Sequence, residues 1–347
     1  MKIALICFTI NGYVLAEKIE GALKENKDEV FFFTKSRYLE NEGKDPVMGF
    51  LREWTKEMFE TKDAIVFVGA AGICVRAIAP FLKSKQHDPA VVVIDEKGKY
   101  CIPILSGHLG GANDLARLIA QRTGAEAVIT TATDINGRFS VDVFAKENNL
   151  KISDMALAKE VSARLLANEK VGFKSELKVN GPLPEGLCGD DASLPLGIYI
   201  GIYTDKSPYE NTLFLTPKIL CAGIGCKKGK SEEELEAELN AALLEEAIDP
   251  FALCAAGSID MKAEEPCLNE FCEKRGIKLK TYSASELESA PGEYTSSEFV
   301  RLITTVDNVC ERSAVLLSEG GRLILKKRAK NGITLAFAVR PKEIGFE

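Results

Sequence analysis

The sequence predicts an α/β protein built as two mainly parallel α/β/α-type domains joined by a small middle unit and linker. Three observations carry that expectation. Strand-length apolar runs alternate with helix-period segments from the first residues onward, the alternation restarts near residue 218, and the stretch between is dense in Gly, Pro and Asp. A chain of 347 residues has room for two to three domains at roughly 150 residues each.

The amino-terminal α/β domain is expected over 1–134. Its strands read as 3–8, 29–33, 64–68, 90–94 and 102–105, rich in Val, Ile and Phe, and its helices as 12–25, 47–60, 72–82 and 110–123. Gly124 supplies the C-cap of the fourth helix, and AVITTATD (127–134) reads as a short buried strand and turn. Over 135–217 the pattern weakens into VDVFAKENN and SDMALAKEVSARLLAN, both helical, followed by GPLPEGLCGDDASLPLG, which has the composition of a tether. The carboxy-terminal α/β domain is expected over 218–347. It begins with ILCAGIG as a strand, then a helix whose Ser231 and Glu234 form a capping box. FALCAAG (251–257) and IKLKTYS read as strands around a helix with Pro266 in its first turn and Gly276 at its end. Ser283 with Glu286 and Thr295 with Glu298 look like two further capping boxes, and RLILKKR and ITLAFAV close the domain as neighbouring strands.

Composition narrows the function. The chain is 46% hydrophobic and 27% charged, with a net charge of −7, which argues against non-specific nucleic-acid binding and against adhesion to an anionic membrane. No apolar run reaches the ~18 residues of a membrane span. The opening MKIALICFTINGYVLAEKIEGALK has too short an apolar core for a signal peptide, so a strand running into a helix is expected there. Ten Cys without a C-x-x-C pair suggest reduced thiols in a cytoplasmic protein, with neither a disulfide framework nor a dedicated metal site. There are two histidines in the chain.

One of them, His108, lies in Ser106-Gly107-His108-Leu109-Gly110-Gly111-Ala112-Asn113, where a strand gives way to a helix. The glycines let backbone approach a ligand, the helix N-terminus offers N–H groups to an anion, and a neutral imidazole transfers protons near pH 7. The competing reading is a helix-capping turn in which Ser106 or Asn113 satisfies backbone donors. His87 sits in a polar loop and reads as solvated. A second loop, Gly69 to Gly72 with Arg76, suits a carboxylate or phosphate, although Arg76 also reads as a surface residue. The third, Ala222 to Ser231, is not a P-loop, because G-x-x-x-x-G-K-S would need Gly at position 224, which is Ile. Its Gly223, Gly225, Lys227 and Lys228 remain candidates for an acidic ligand. Lys262, Glu265, Ser297 and Glu311 add a polar rim that a large ligand can use, while each alone reads as a loop or cap residue.

VGAAGICVRAIAP, PILSGHLGGANDLARLIA, AVITTATD, GIGCKKG and the Lys262 to Glu265 segment together resemble the cobalt-precorrin-5A hydrolases of anaerobic cobalamin biosynthesis over essentially the whole chain. The resemblance implies a cytoplasmic enzyme that opens the ring A δ-lactone of a cobalt corrinoid and releases acetaldehyde, giving cobalt-precorrin-5B. It implies no cofactor of the enzyme's own, since the cobalt belongs to the substrate. His108 is then the expected catalytic residue with Ser106 beside it. Gly69, Gly72, Arg76, Gly107, Gly110, Gly111, Asn113, Gly223, Gly225, Lys227, Lys228, Lys262, Glu265, Ser297 and Glu311 are the expected substrate contacts. The family pattern has a glycine just before DNVCERSAVLL, where this chain has Thr305-Val306. The expected partner is the corrinoid alone, with no nucleic acid and no membrane. Self-association, transient contact with neighbouring pathway enzymes, a non-catalytic corrinoid carrier and an unrelated small-anion α/β enzyme stay open.

Overall fold

The computed structural model describes residues 1–39, 44–84, 87–107, 110–131, 137–189 and 191–346. The chain divides into two units, Met1–Arg138 and Phe139–Glu347.

The first unit is a seven-stranded sheet in the order β3-β2-β1-β4-β5-β6-β7, formed by Lys2–Cys7, Glu29–Thr34, Asp45–Pro46, Ala64–Val68, Ala90–Ile94, Tyr100–Leu105 and Glu126–Ala127, numbered β1 to β7 in chain order. Four helices flank it: α1 (Ile10–Glu25), α2 (Leu51–Thr61), α3 (Ala71–Ile78) and α4 (Ala112–Thr123). The central strands are apolar at nearly every position because both faces are covered, and successive side chains alternate between them. Ile3, Leu5 and Cys7 join Ala16 and Ile19 of α1 and Leu115 and Ile119 of α4 on one side. Ala4 and Ile6 join Trp54 and Met58 of α2 and Cys74 of α3 on the other. One strand departs from the expected parallel pattern. β6 pairs antiparallel with β5, Val91 opposite Leu105 and Ile94 opposite Cys101, since only five residues separate the two strands and a parallel return needs a crossover of a dozen or more.

In the second unit, the stretch read as a tether is folded. Leu187–Gly189 (β11) lies inside it and Leu196–Ile200 (β12) starts at its end, and with Leu150–Ile152 (β8), Val171–Ser175 (β9) and Asn211–Pro217 (β13) they form a sheet ordered β11-β9-β12-β13-β8. Gly197 of that stretch, like Gly172 of β9, is a contact point. A Cβ on Gly172 or Gly197 would stand 2.2 or 2.3 Å from the buried Tyr209 ring. Helices α5 (Val141–Glu147) and α6 (Met155–Leu166) cover this sheet, and a short parallel pair, Lys178–Asn180 (β10) with Glu343–Gly345 (β19), lies beside it.

The remaining sheet runs β16-β15-β14-β18-β17, from Leu220–Cys226 (β14), Leu253–Ile259 (β15), Lys278–Tyr282 (β16), Arg322–Lys330 (β17) and Ile333–Val339 (β18). Helices α7 (Glu232–Glu245) and α8 (Pro266–Arg275) pack Leu235, Leu239, Leu268 and Phe271 on one face. α9 (Ala284–Glu288) and α10 (Glu298–Thr304) lead to α11 (Cys310–Leu317), which presses Cys310 and Ala314 on Ala336 and Ala338 of the other face. The capping boxes at Ser231 and Ser283 form. The one expected at Thr295 does not: α10 starts after Ser297 with no side-chain cap, and the Thr295 hydroxyl donates instead to Glu311. All ten cysteines are free thiols. Among the described residues no helix is long and apolar enough to cross a membrane.

Candidate functional site

At the carboxyl ends of the parallel strands β14 and β15 a cavity of about 950 Å³ opens. The antiparallel hairpin β17–β18 brings its turn to the same edge, so the ends of four strands converge there. Ile259, Val300, Ile303, Val309 and Ile333 supply apolar wall, and Lys227, Lys228, Lys262, Lys327 and Lys330 bring ammonium groups to it. Of the residues expected from sequence, Gly225, Lys227, Lys228, Lys262, Glu265 and Ser297 meet in this one cavity.

The lysines are positioned by backbone that the sequence dictates locally. Asn331 and Gly332 both have positive φ, 50° and 75°, the two-residue turn that matches strand twist in a hairpin. The Lys227 amide donates to the Gly332 carbonyl at 2.9 Å, and Asn331 Nδ2 donates to Glu238 of α7 at 2.6 Å, which fastens the turn. Arg328 bridges the same Glu238 at 2.9 Å and Glu245 at 3.0 Å. Lys262 already pairs with Glu265 at 2.6 Å, and its ammonium, assisted by the Gly229 amide, holds that carboxyl below the usual range. Among the described residues no carboxylate lies within ion-pair distance of the Lys227, Lys228, Lys327 or Lys330 ammonium. These four are therefore available to an anionic ligand.

Two expected contact residues have other work. Gly223 lies mid-strand in β14, and a Cβ there would stand 1.7 Å from the Cys310 carbonyl oxygen, so the glycine lets α11 cross the sheet. Glu311 is fully buried and accepts from the Thr295 amide and hydroxyl, both at 2.8 Å, and from the Lys327 amide at 2.6 Å. The last bond falls where β17 slips register between Leu325 and Arg328, so the carboxylate holds a bulge from which Lys327 reaches the cavity wall. Asn308, passed over in the sequence, accepts from the Glu311 amide at 2.8 Å and donates to the Thr295 carbonyl at 2.9 Å. Its spacing to Glu311, Asn-x-x-Glu before an apolar run, is a helix-start signature that flags the position. Lys327 and Lys330 were hidden because they read as the exposed face of a strand.

The family model described as "Cobalamin synthesis G N-terminal" matches residues 53–134, "Cobalamin biosynthesis central region" 139–217 and "Cobalamin synthesis G C-terminus" 220–338. The cobalt-precorrin-5A hydrolase of Salmonella typhimurium is 34% identical over 352 residues, 97% of each chain. The chain belongs to the cobalt-precorrin-5A hydrolase family. The enzyme of the same name from Priestia megaterium is 30% identical over 97% of this chain and 95% of its own. A crystal structure of a cobalamin biosynthesis protein G homologue from Sulfolobus solfataricus aligns with a TM-score of 0.42 at 25% identity, covering 97% of both chains.

Within this cobalt-precorrin-5A hydrolase family member, the conformation at Thr305 is one that suits a glycine. Thr305 ends α10 with φ of +64°, a left-handed conformation that glycine adopts freely and a β-branched residue resists. Thr305→Gly is expected to raise the free energy of unfolding by about 1 kcal/mol, net of the entropy that glycine adds to the unfolded chain, as read by urea denaturation.

The glycine-rich loops of the first unit differ from expectation. Because β6 is antiparallel, Ser106 emerges at the amino edge of β5, and its hydroxyl donates to the Asp88 carbonyl at 2.9 Å. Gly69 follows β4 at the opposite, carboxyl edge, so the two loops do not share one crevice. Ser106 is largely buried, at 9% exposure, which makes its hydroxyl a tie to the neighbouring loop. The Ala112 and Asn113 amides of α4 donate to the Ser106 and Gly107 carbonyls at 3.1 and 3.0 Å, so these two helix donors are taken up within the loop and not by an anion. Gly110 and Gly107 permit that closeness, since a Cβ would stand 2.4 Å from the Ser106 side chain or 2.8 Å from Asn113. Gly111 holds φ of +84° at the helix entry, and buried Asn113 donates to Thr131. Gly72 and Arg76 both lie in α3, Arg76 exposed in its last turn and so outside the glycine loop itself. His108, Leu109 and the 132–134 part of AVITTATD lie outside the described residues. His87 is exposed, its Nδ1 3.0 Å from the Ser84 hydroxyl.

Proposed function

We propose that this chain opens the ring A δ-lactone of cobalt-precorrin-5A and releases acetaldehyde, giving cobalt-precorrin-5B, in the cytoplasm. The observation that carries the reading is the cavity beside β14. A corrinoid is a wide apolar ring fringed with carboxylates, and apolar walls ringed by four unpaired ammonium groups match both properties. An acidic protein that binds a polyanion needs its cations gathered, as they are here.

The chemistry sets what the residues must do. Water adds to the lactone carbonyl, and ring opening leaves a carboxylate and a hydroxyl on the two-carbon bridge. Loss of the hydroxyl proton then breaks the carbon–carbon bond to the macrocycle, which keeps the electron pair and takes up a proton as acetaldehyde departs. One water is consumed for each acetaldehyde. Proton transfer of this kind suits a neutral imidazole, and His108 is the proposed residue on its chemistry and its place between glycines in the sequence.

The test is acetaldehyde release from cobalt-precorrin-5A by the purified chain, followed with an aldehyde-reducing coupling enzyme. His108→Ala is expected to slow release about a hundredfold. An unchanged rate in that variant removes His108 from the reaction, and tight binding of the lactone by the parent without acetaldehyde favours a corrinoid carrier.

A further inference from the structure

We propose that Cys226, Glu265 and Cys267 form a binding site for a thiophilic divalent cation of the Zn²⁺ class. Cys226 ends β14, and Cys267 follows Pro266 at the start of α8. The fold brings them together across 41 residues of sequence, with Sγ atoms 3.7 Å apart. Two thiolates on one tetrahedral zinc, at Zn–S of ~2.3 Å, stand about 3.8 Å apart, so the sulfurs are already spaced for a shared ion. The thiols and a Glu265 carboxylate oxygen all lie within 4.8 Å of one another, and this is the one such three-residue group among the described residues. Two soft sulfurs and one carboxylate leave the fourth tetrahedral position to an exchangeable ligand. Cys226 and Glu265 face the cavity while Cys267 is buried behind them, which puts that position on the cavity side.

The rest of the molecule provides an internal contrast. Cys221 and Cys254 are also 3.7 Å apart, but the charge acting on them comes from the Arg340 guanidinium, and no carboxylate completes the group. A cation there would meet like charge; at Cys226 and Cys267 the third group is an anion. Binding one Zn²⁺ replaces three of its bound waters with two thiolate sulfurs and one carboxylate oxygen, and the thiol protons pass to solvent. Lys262, on Glu265 at 2.6 Å, competes with the ion for the carboxylate.

The site is independent of the substrate assigned to the cavity, and its test reads metal and not turnover. The full chain, reduced and stripped with chelator, is dialysed against ZnCl₂ and assayed for bound zinc, with Co²⁺ as a second probe read by its thiolate charge-transfer and tetrahedral ligand-field bands. One equivalent is expected, with binding weakened at least tenfold in Cys226→Ser and in Cys267→Ser, unchanged in Cys221→Ser and Cys254→Ser, and tightened in Lys262→Met. Urea unfolding of each variant separates loss of the ligand from loss of the fold, and Zn²⁺ should slow alkylation of Cys226 in the parent chain. Failure to retain zinc, equal retention by Cys267→Ser, or loss in Cys254→Ser overturns the proposal.

Discussion

Replacing Glu311 by alanine is expected to lower the free energy of unfolding by about 2–3 kcal/mol, the range for leaving hydrogen-bond donors without the buried acceptor they share. Glu311 is fully buried and its two oxygens receive three hydrogen bonds from two chain segments. Removing it leaves the Thr295 amide, the Thr295 hydroxyl and the Lys327 amide without their shared acceptor, in a part-buried setting where water replaces the carboxylate only in part. The same change releases both the lead-in to α10 and the bulge in β17, so corrinoid binding should fall with stability. Glu311→Gln narrows the cause. The amide keeps the volume and one acceptor oxygen, but its NH₂ must face an N–H donor, so most of the loss should persist. Urea unfolding followed by circular dichroism reads both variants, and a change under about 1 kcal/mol in Glu311→Ala contradicts the role.

Gly223→Ala is expected to cost about 3 kcal/mol or more, although it adds a single methyl group. That carbon would sit 1.7 Å from the Cys310 carbonyl oxygen and 2.8 Å from the Ala314 amide nitrogen, both backbone atoms of α11 that cannot rotate away. Relief requires the helix to lift from β14, which also moves Val309 and Cys310 in the cavity wall. Gly189→Ala is the control: it too replaces a strand glycine, yet the nearest atom to the new carbon would be Leu183 Cδ1 at 3.6 Å, an ordinary contact. Thermal unfolding of the two variants in parallel separates crowding from the general cost of altering a strand glycine.

Much of the fold is legible in the sequence because local signals and packing agree. The uninterrupted apolar runs at 3–8, 64–68 and 90–94 are what a sheet covered on both faces requires, and the boxes at Ser231 and Ser283 mark helix starts through bonds made within four residues. The failures have the opposite character. Thr295 carries the capping pattern, but Glu311, sixteen residues away, offers a buried carboxylate that wins its hydroxyl. The Gly-Pro-Asp stretch carries the composition of a tether, yet its Gly197 is small so that the Tyr209 ring can lie on it, as it does on Gly172 of β9. The direction of β6 is set by the length of its connection, and it decides which sheet edge receives the Ser106 loop. Six of the expected contact residues meet in one cavity because strand carboxyl ends gather whatever their loops carry, while Lys327 and Lys330 enter from a hairpin whose register no local spacing encodes. Cys226 and Cys267 escape a search for short cysteine spacings because their proximity is tertiary.

The pairing of β14 with β18 also bears on how the protein is made. Leu220 lies opposite Val339 and Cys226 opposite Ile333, so the middle strand of that sheet gains one of its two neighbours only after more than a hundred further residues have been synthesised. At ~5–20 residues per second, β14 waits roughly 6–24 s on the ribosome with a hydrogen-bonding edge unmatched. Throughout that interval an apolar strand edge is open to pairing with another chain, so mispairing during translation has its widest opening here.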